Sequence, residues 1–386
     1  KNRHWVFSEK RKINIQRRIW RQDCKYFHYN YSMSQIDLNS SRTTSGLNRS
    51  PSAFDTDDLG TVDDRKIANP KFYQQLIEKL DPKLLNLDEL REMDGFAVKK
   101  YPDRIYLGQV SHGKREGSGI LQYENGRIYE GNWCQNLREA FGRECYPNGN
   151  VYEGEFHVGK AHGKGLYKWA NGESYDGEWK DGLKQGSGKW VGLQGDSYEG
   201  DWKKSKADGY GIHIWKNGDK YEGEWWQCLK HGQGTTTFAN GDQYSGQYVR
   251  GQPHGYGEYK YVNGTQYKGY FANGKRHGRG YLSKNNGDEY QGEWYNDKKH
   301  GYGVFKWPSG NIYSGEFRRD HRWGKGKMQW KDGSVYNGEW VKGIQHGYGE
   351  MTLPDGTKRW GFFDKNVYKG AYSKSVSPMR GRTVLG

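Results

Sequence analysis

Tyr221-Glu222-Gly223-Glu224-Trp225, followed by His231-Gly232-Gln233-Gly234 and then by Asn240-Gly241, decides the fold. On a β-strand, residues an even number apart share a side. The two rings and the glycine between them therefore lie on one side, and Glu222 and Glu224 on the other. The same parity puts Gly232, Gly234, Thr236 and Phe238 on one side of the strand that follows. Beside a glycine, a ring can lie flat on neighbouring backbone, a burial worth on the order of 2 kcal/mol per ring. One layer of sheet can then carry its own core on one face. Asn240-Gly241 supplies the two positive-φ residues of a type I′ hairpin turn, so the stretch reads as strand, loop, strand, tight turn.

The unit recurs without an insertion. Tyrosines stand at Tyr106, Tyr129, Tyr152, Tyr175, Tyr198, Tyr221, Tyr244, Tyr267, Tyr290, Tyr313 and Tyr336, each twenty-three positions after the last. A glycine follows two residues on, and usually Trp or Phe four residues on. Paired glycines recur, as in Gly163-Lys164-Gly165 and Gly301-Tyr302-Gly303, and so does Asn-Gly, at Asn125-Gly126, Asn148-Gly149, Asn171-Gly172, Asn217-Gly218, Asn263-Gly264 and Asn286-Gly287. A twelfth unit, Arg359-Trp360-Gly361-Phe362-Phe363, keeps the glycine and loses the tyrosine. With strands about 4.8 Å apart and two per unit, twelve units predict a ribbon on the order of 110–120 Å. Each unit meets only its neighbours, so stability should be nearly additive along it.

Composition agrees with a core made of rings on bare backbone. Hydrophobic residues are only 33% of the 386, against 57 Gly and 60 aromatics (16 Trp, 31 Tyr and 13 Phe). No stretch approaches the roughly 18–20 apolar residues of a membrane span, and no signal peptide is visible, which predicts a soluble, intracellular chain. Cys24, Cys134, Cys145 and Cys228 fit neither a zinc pattern nor a disulfide framework and read as reduced thiols. The net charge of +15 points to an acidic partner.

The pattern Tyr152-Glu153-Gly154-Glu155-Phe156 with His162-Gly163-Lys164-Gly165 resembles the MORN repeat, over about residues 101–371. The resemblance implies an all-β chain: an elongated single-layer antiparallel sheet of about twelve tandem β-hairpin repeats. Members built almost wholly of strict tandem repeats are similar to radial-spoke-head and other axonemal or cytoskeletal scaffolds. This implies a non-catalytic ribbon in the cytoskeleton, foremost of a cilium or flagellum, whose partners are other proteins of a large assembly, microtubule-associated ones included. Other members tether membranes or sit beside an enzyme, so binding of anionic phospholipid and recruitment of an enzyme stand as alternatives. The array ends and edges are the expected routes to homo- or hetero-oligomers.

Four segments are expected. Residues 1–64 read as a basic and polar extension, largely extended or disordered; 65–100 as a short helical segment capping the array; 101–371 as the array; and 372–386 as a C-terminal tail. Residues 1–32 hold nine Lys/Arg against Glu9 and Asp23 and no Met, so Met33 is a candidate internal start and a mitochondrial presequence is permitted. Ser50-Pro51 is a candidate phosphosite. Asn69-Pro70 and Asp81-Pro82 look like helix starts, opening helical patterns over 71–80 and 83–93 with apolar stripes Phe72, Leu76, Ile77, Leu80 and Leu84, Leu87, Leu90. These helices either cap the first repeat or offer a partner-binding hairpin.

No residue set reads as catalytic, and no cofactor or metal is expected. His162, His231, His254, His277, His300 and His346 stand one repeat or more apart, at least about 10 Å from each other, too far to share a metal with bonds of about 2.1 Å; hydrogen bonding in the loop is their expected role. The Gly-x-Gly pairs open no helix and are not nucleotide loops. Nucleic acid is not expected, since the rings are spent on folding. Glu155, Glu178, Glu224, Glu293, Glu316 and Glu339 read as a solvated ladder opposite the rings. Lys203, Lys204 and Lys206; Lys275 and Arg276; Lys298 and Lys299; and Arg318, Arg319 and Arg322 gather in the loops, either paired locally or as a multivalent strip for an acidic partner. Departures at Ala140, Gly192 and Trp323, and the ring-rich Trp360, Phe362 and Phe363 of the last strand, complete the candidate contact points.

Overall fold

The computed structural model describes residues 70–78, 80 and 82–371. The basic extension, Met33, Ser50-Pro51, Asn69, the side chain of Phe72, Asp81 and the tail lie outside the described residues. Two short helices, α1 (Pro70–Glu78) and α2 (Leu87–Arg91), precede a chain that is almost entirely strand. The first strands are β1 (Phe96–Lys100), β2 (Arg104–Ser111), β3 (Lys114–Tyr123) and β4 (Ile128–Cys134). The chain divides into two compact units, one ending at Lys230 and the other starting at His231. Within each, successive strands pair antiparallel with the next in sequence, forming an open sheet one layer thick.

The core of each sheet is its ring face. All eleven repeat tyrosines are buried, none of them more than 2% exposed. In the repeat that starts at Tyr152, Gly154 and Gly165 face each other across the strands. A Cβ on Gly165 would lie 2.6–2.7 Å from Tyr152 ring carbons, so only glycine leaves room for the ring. The ring edge of Tyr152 also meets Phe156 of its own repeat and Trp179 of the next, at centroid separations of 5.0 and 5.3 Å and nearly perpendicular planes. That T-shaped geometry suits the ring quadrupoles. It recurs from repeat to repeat within each unit.

Register slips once per repeat. Between Gly154 and Phe156 the ladder is interrupted: Phe156 pairs with Ala161 and Gly154 with Gly165, so the single residue Glu155 faces His162, Gly163 and Lys164. Gly163 turns through φ +57, left-handed backbone that glycine adopts without a Cβ penalty. The Glu155 carbonyl receives the Tyr152 Oη–H at 2.8 Å. The Lys164 N–H donates to the Glu155 carboxylate at 3.1 Å. Both groups displaced from the ladder are thereby satisfied.

The two turns of the unit are the reverse of the sequence reading. The segment read as a loop is the two-residue type I′ turn: Ser111 pairs with Lys114, and His112 and Gly113 have φ +50 and +79. The same holds at Lys204 and Ser205 (φ +50 and +61) and at Arg319 and Asp320 (φ +52 and +73). The Asn-Gly turn is instead a three-residue loop. Gly126 N–H donates to Tyr123 O at 3.1 Å, Tyr123 N–H to Arg127 O at 2.8 Å, and only Gly126 has positive φ. This is a type I turn closed by a left-handed glycine. Asn125 is there for its side chain, whose Oδ1 accepts the Arg127 N–H at 3.0 Å.

The helical segment lies on the face opposite the rings. Ile105 and Leu107 flank Tyr106 in sequence and so point away from it; Tyr73 and Leu76 of α1 bury against them, with Ile77, Leu80, Leu87 and Phe96 around. The second helix is shorter than its sequence pattern, because Asn86 is its N-cap, accepting the Asp88 N–H at 3.0 Å. The residues before it are held by one buried carboxylate. Glu130 accepts the N–H groups of Lys83, Leu84 and Leu85 at 2.7–3.1 Å and sits 3.3 Å from the Arg143 guanidinium.

Two outcomes are expected. Gly165→Ala should lower the urea midpoint by the equivalent of about 1–3 kcal/mol, against about 1 kcal/mol for Gly113→Ala, where the new Cβ meets nothing and only the positive φ is strained; the reverse ranking would show that the rings do not depend on the glycines. Glu130→Ala should speed amide hydrogen exchange at Leu84 and Leu85 by about two orders of magnitude, the loss of a charged acceptor for half-buried donors, while exchange in the repeats after Tyr152 stays unchanged. Equal acceleration throughout would mean that Glu130 supports the whole unit and not the helical segment.

Candidate functional site

Each sheet has two unlike edges. At the I′ turns, counting the two turn residues and the strand residue on either side, the first unit carries six Lys/Arg against Asp181, and the second carries seven against Asp297, Asp320 and Asp364. At the Asn-Gly turns the balance inverts, with two Lys/Arg against four Asp/Glu in each unit, counted over the five residues equivalent to 123–127. Two-residue turns hold this basic edge tightly. The second residue of most of them donates its N–H to a carbonyl of the preceding repeat, as Gly182 does to Ala161 and Asn366 to Gln345, at 2.9 and 3.0 Å.

The basic residues singled out by sequence separate into two groups. Lys203, Lys204, Lys298, Arg318 and Arg319 are exposed at the I′ edge, and Lys275 is half-buried there. Lys206, also half-buried, donates to Gln227 Oε1 at 2.8 Å. Arg318 lies over the Trp323 ring, 5.1 Å from its centroid, and that tryptophan occupies the position held by His in most repeats. The other three turn inward. Arg276 covers Trp294 and Tyr267 at 4.3 and 5.6 Å; Lys299 covers Phe305 and Tyr290 at 4.6 and 5.6 Å; Arg322 covers Trp340 and Tyr313 at 4.3 and 5.7 Å. Arg276 and Arg322 further donate to the carbonyls of Asp297 and Gly343. Burial pushes the Lys299 ammonium below its ordinary value. These three belong to the packing of the ring face, and the basic edge is made without them.

Arg115, Arg138, Lys184 and Lys230 stand at the same place in other repeats, nine residues after the tyrosine, and each lies over rings. The signal was present in the sequence. A two-residue turn brings the chain straight back, so the ninth residue after the tyrosine lies directly across from the Trp or Phe, as Arg276 lies across from Phe271. Reading a longer loop there hid the alternation. One repeat carries this further: buried Glu144 binds Arg138 at 2.6 Å, Arg127 as well, and the Tyr146 hydroxyl at 2.9 Å, all on the ring face. The two guanidiniums hold the Glu144 carboxyl below its usual value against the opposing effect of burial, which is the largest single influence on it.

The glutamates form no simple solvated ladder. Glu155, Glu178, Glu316 and Glu339 each accept the N–H of the residue after the bulge glycine, at 3.1–3.3 Å. The histidine row lies in the strands, third residue in each case, and not in a loop. His346 Nδ1 is 3.2 Å from Asp364, and the Tyr295 ring lies 5.2 Å from His277 and 5.8 Å from His300. Among the described residues no group of three His, Cys, Asp or Glu could hold a metal ion, and no helix is long and apolar enough to cross a membrane.

The unmatched units have local explanations. Ala140 occupies the bulge at φ +53, and the residue facing it is Asn132, shorter than the Glu or Gln of most other repeats. At Gly192 a Cβ would meet the Trp190 indole at 2.5–2.6 Å, so that ring fills the place of the missing aromatic. The ring-rich strand Lys358–Asp364 is not the last, since Val367–Tyr368 pairs with it, and its Phe363 is buried against Tyr336 at a centroid separation of 4.9 Å. Trp360 and Phe362 point to the other face, where Tyr348 meets both at 6.0 and 5.6 Å. Tyr368 stands in for the lost tyrosine: its ring lies over Gly361 and its hydroxyl donates to Trp360 O at 3.0 Å.

A search of curated proteins gave no match. Among solved structures, the TCP domain of SAS-4 (dCPAP) from Drosophila melanogaster, in complex with a proline-rich motif of Ana2, is 18% identical, covering 41% of this chain and 86% of that one with a TM-score of 0.26. The TCP10 domain of CPAP from Danio rerio is 16% identical over 50% of this chain and 92% of that one, with a TM-score of 0.29. Virginiamycin B lyase from Staphylococcus aureus is 11% identical over 71% and 87%, with a TM-score of 0.13. Likenesses this low carry no weight for function. The MORN repeat profile, by contrast, matches residues 106–126 and 129–151 and then runs without a gap from 152–174 to 336–358. Eleven consecutive matches over more than half of the sequence, on strands whose tyrosines and glycines interlock as described, establish that the chain belongs to the MORN-repeat family.

Proposed function

We propose that the chain is a non-catalytic scaffold that holds other proteins through its basic edge, within a cytoskeletal assembly of the radial-spoke or microtubule-associated kind in a ciliary or flagellar axoneme. The observation that supports it most is the charge difference between the two turn edges. Rings and glycines are consumed by folding, whereas Lys203, Lys204, Lys298, Arg318 and Arg319 are exposed at turns whose backbone is fixed. Charges repeated at steps of about 10 Å bind an extended acidic surface by many weak contacts, each worth under about 1 kcal/mol and together substantial. Their positions vary between repeats while the repeat tyrosines and facing glycines do not, which suits a ribbon that gives each segment its own partner. The same edge supports a second reading, attachment to anionic phospholipid, and recruitment of an enzyme falls within the first.

Sedimentation of the full chain with salt-washed axonemes, and flotation with phosphatidylserine-containing liposomes at physiological salt, separate the readings. Axoneme retention is expected, weakened by about tenfold or more when Lys203, Lys204, Arg318 and Arg319 are all changed to Ser, and unchanged when Lys216 and Lys331 of the opposite edge are changed instead. Liposome flotation without axoneme retention would replace the scaffold by a membrane tether. Equal effects of the two sets of substitutions would remove the basic edge from either role.

A further inference from the structure

The ring face contains a position where the repeat has built a site for a cation and supplies none. Lys184 shows what a filled site looks like: its Nζ is 4.9 Å from the centroid of each of Trp169, Tyr175 and Trp202. Those rings stand fifteen and nine positions before it and eighteen after it. One repeat earlier the same offsets give Tyr146, Tyr152 and Trp179 around Ala161, whose side chain stops at Cβ. Two of the three walls keep their geometry: Tyr152 and Trp179 lie 5.3 Å apart at 84°, against 5.2 Å and 81° for Tyr175 and Trp202. Trp179 is also the more open of the two indoles, 9% exposed against 3% for Trp202.

Three other repeats lack a cation there, and each differs from Ala161. Ala207 is fully buried, with the Trp190 indole in the place that Gly192 leaves, Pro253 puts its own pyrrolidine ring into the place, and Gln345 fills it with a long buried side chain. Of the cations around Ala161, Arg127 lies over the Tyr146 ring at 5.8 Å and shares the Glu144 carboxylate with Arg138. Arg138 is bound by Glu144 at 2.6 Å, and Glu173 acts electrostatically on Lys184.

We propose that Tyr146, Tyr152 and Trp179 over Ala161 form an open cation seat that takes a lysine or arginine side chain brought by a partner protein. The attraction is that of a cation for the ring faces, strengthened where the rings are partly desolvated. The seat lies on the ring face, next to Lys160 of the basic edge, but uses none of the edge residues substituted above, so it stands or falls independently of the scaffold reading.

Fluorine NMR of the full chain labelled with 5-fluorotryptophan tests it, with the Trp179 signal assigned by its disappearance in Trp179→Phe. Titration with Nα-acetyl-arginine amide at constant ionic strength should move that signal saturably, with half-saturation on the order of 10 mM, the affinity of a single cation–ring contact. The neutral isostere Nα-acetyl-citrulline amide should move it at least several-fold less. Ala161→Lys, which introduces the residue that three other repeats carry at this position, should fill the seat from within and abolish the response, and Ala161→Leu should block it without charge. An equal response to citrulline, no response to arginine, or an undiminished response in both Ala161 variants would each overturn the proposal. Should Ala161→Lys lose the native thermal midpoint, Ala161→Leu decides.

Discussion

A tyrosine ring lying on a glycine of the facing strand is the contact on which each repeat depends. It needs two facing glycines, because a Cβ on one would enter the ring and a Cβ on the other would meet the facing backbone first. It also needs the bulge beside them, since the phenol hydroxyl reaches the carbonyl that the bulge sets free. Burial pushes most of these phenols well above their ordinary value, Tyr336 to about 12, so they stay protonated and able to donate. The glutamate opposite the bulge completes the arrangement by taking the displaced amide. Four features of the sequence, Tyr, the glycine two residues on, the glutamate three residues on and the Gly-x-Gly pair, thus serve one packing event.

The period, the faces and the strand alternation were legible in the sequence because they rest on side-chain size and parity. Turn identity was not. Asn-Gly is compatible both with a two-residue turn and with a three-residue loop, and the true I′ turns contain Val158, Lys204, Gln227 and Arg250, residues with no preference for positive φ. Composition therefore pointed to the wrong end of the hairpin. The inward cations were lost for the same reason. Once the supposed loop is known to be two residues long, the strand parity carries through it, and Arg276, Lys299 and Arg322 fall on the ring face by counting alone.

Lysine and arginine consequently serve two purposes a few residues apart. At the turns they are solvated and repeat along an edge. Nine residues after the tyrosine they are lids over aromatic rings, where truncating the side chain would expose the ring beneath. Net charge does not distinguish these populations, and only the first is free to meet another molecule. The carboxylates do not divide by edge: Glu130 and Glu144 are buried and committed to backbone amides or guanidiniums, and among the acidic residues of the Asn-Gly turns Glu173 and Asp196 are buried as well.

The bond from an I′ turn to a carbonyl of the preceding repeat, together with the ring that reaches into the next one, ties the spacing of neighbouring hairpins to a fixed length of chain. A single inserted residue in a strand would invert its faces, and one in a turn would break that bond. Such a chain can lengthen or shorten in evolution only by whole repeats, so its reach changes in discrete steps. Adaptation within a repeat is left to substitution, and the compensated pair Ala140 and Asn132 shows how narrow that route is.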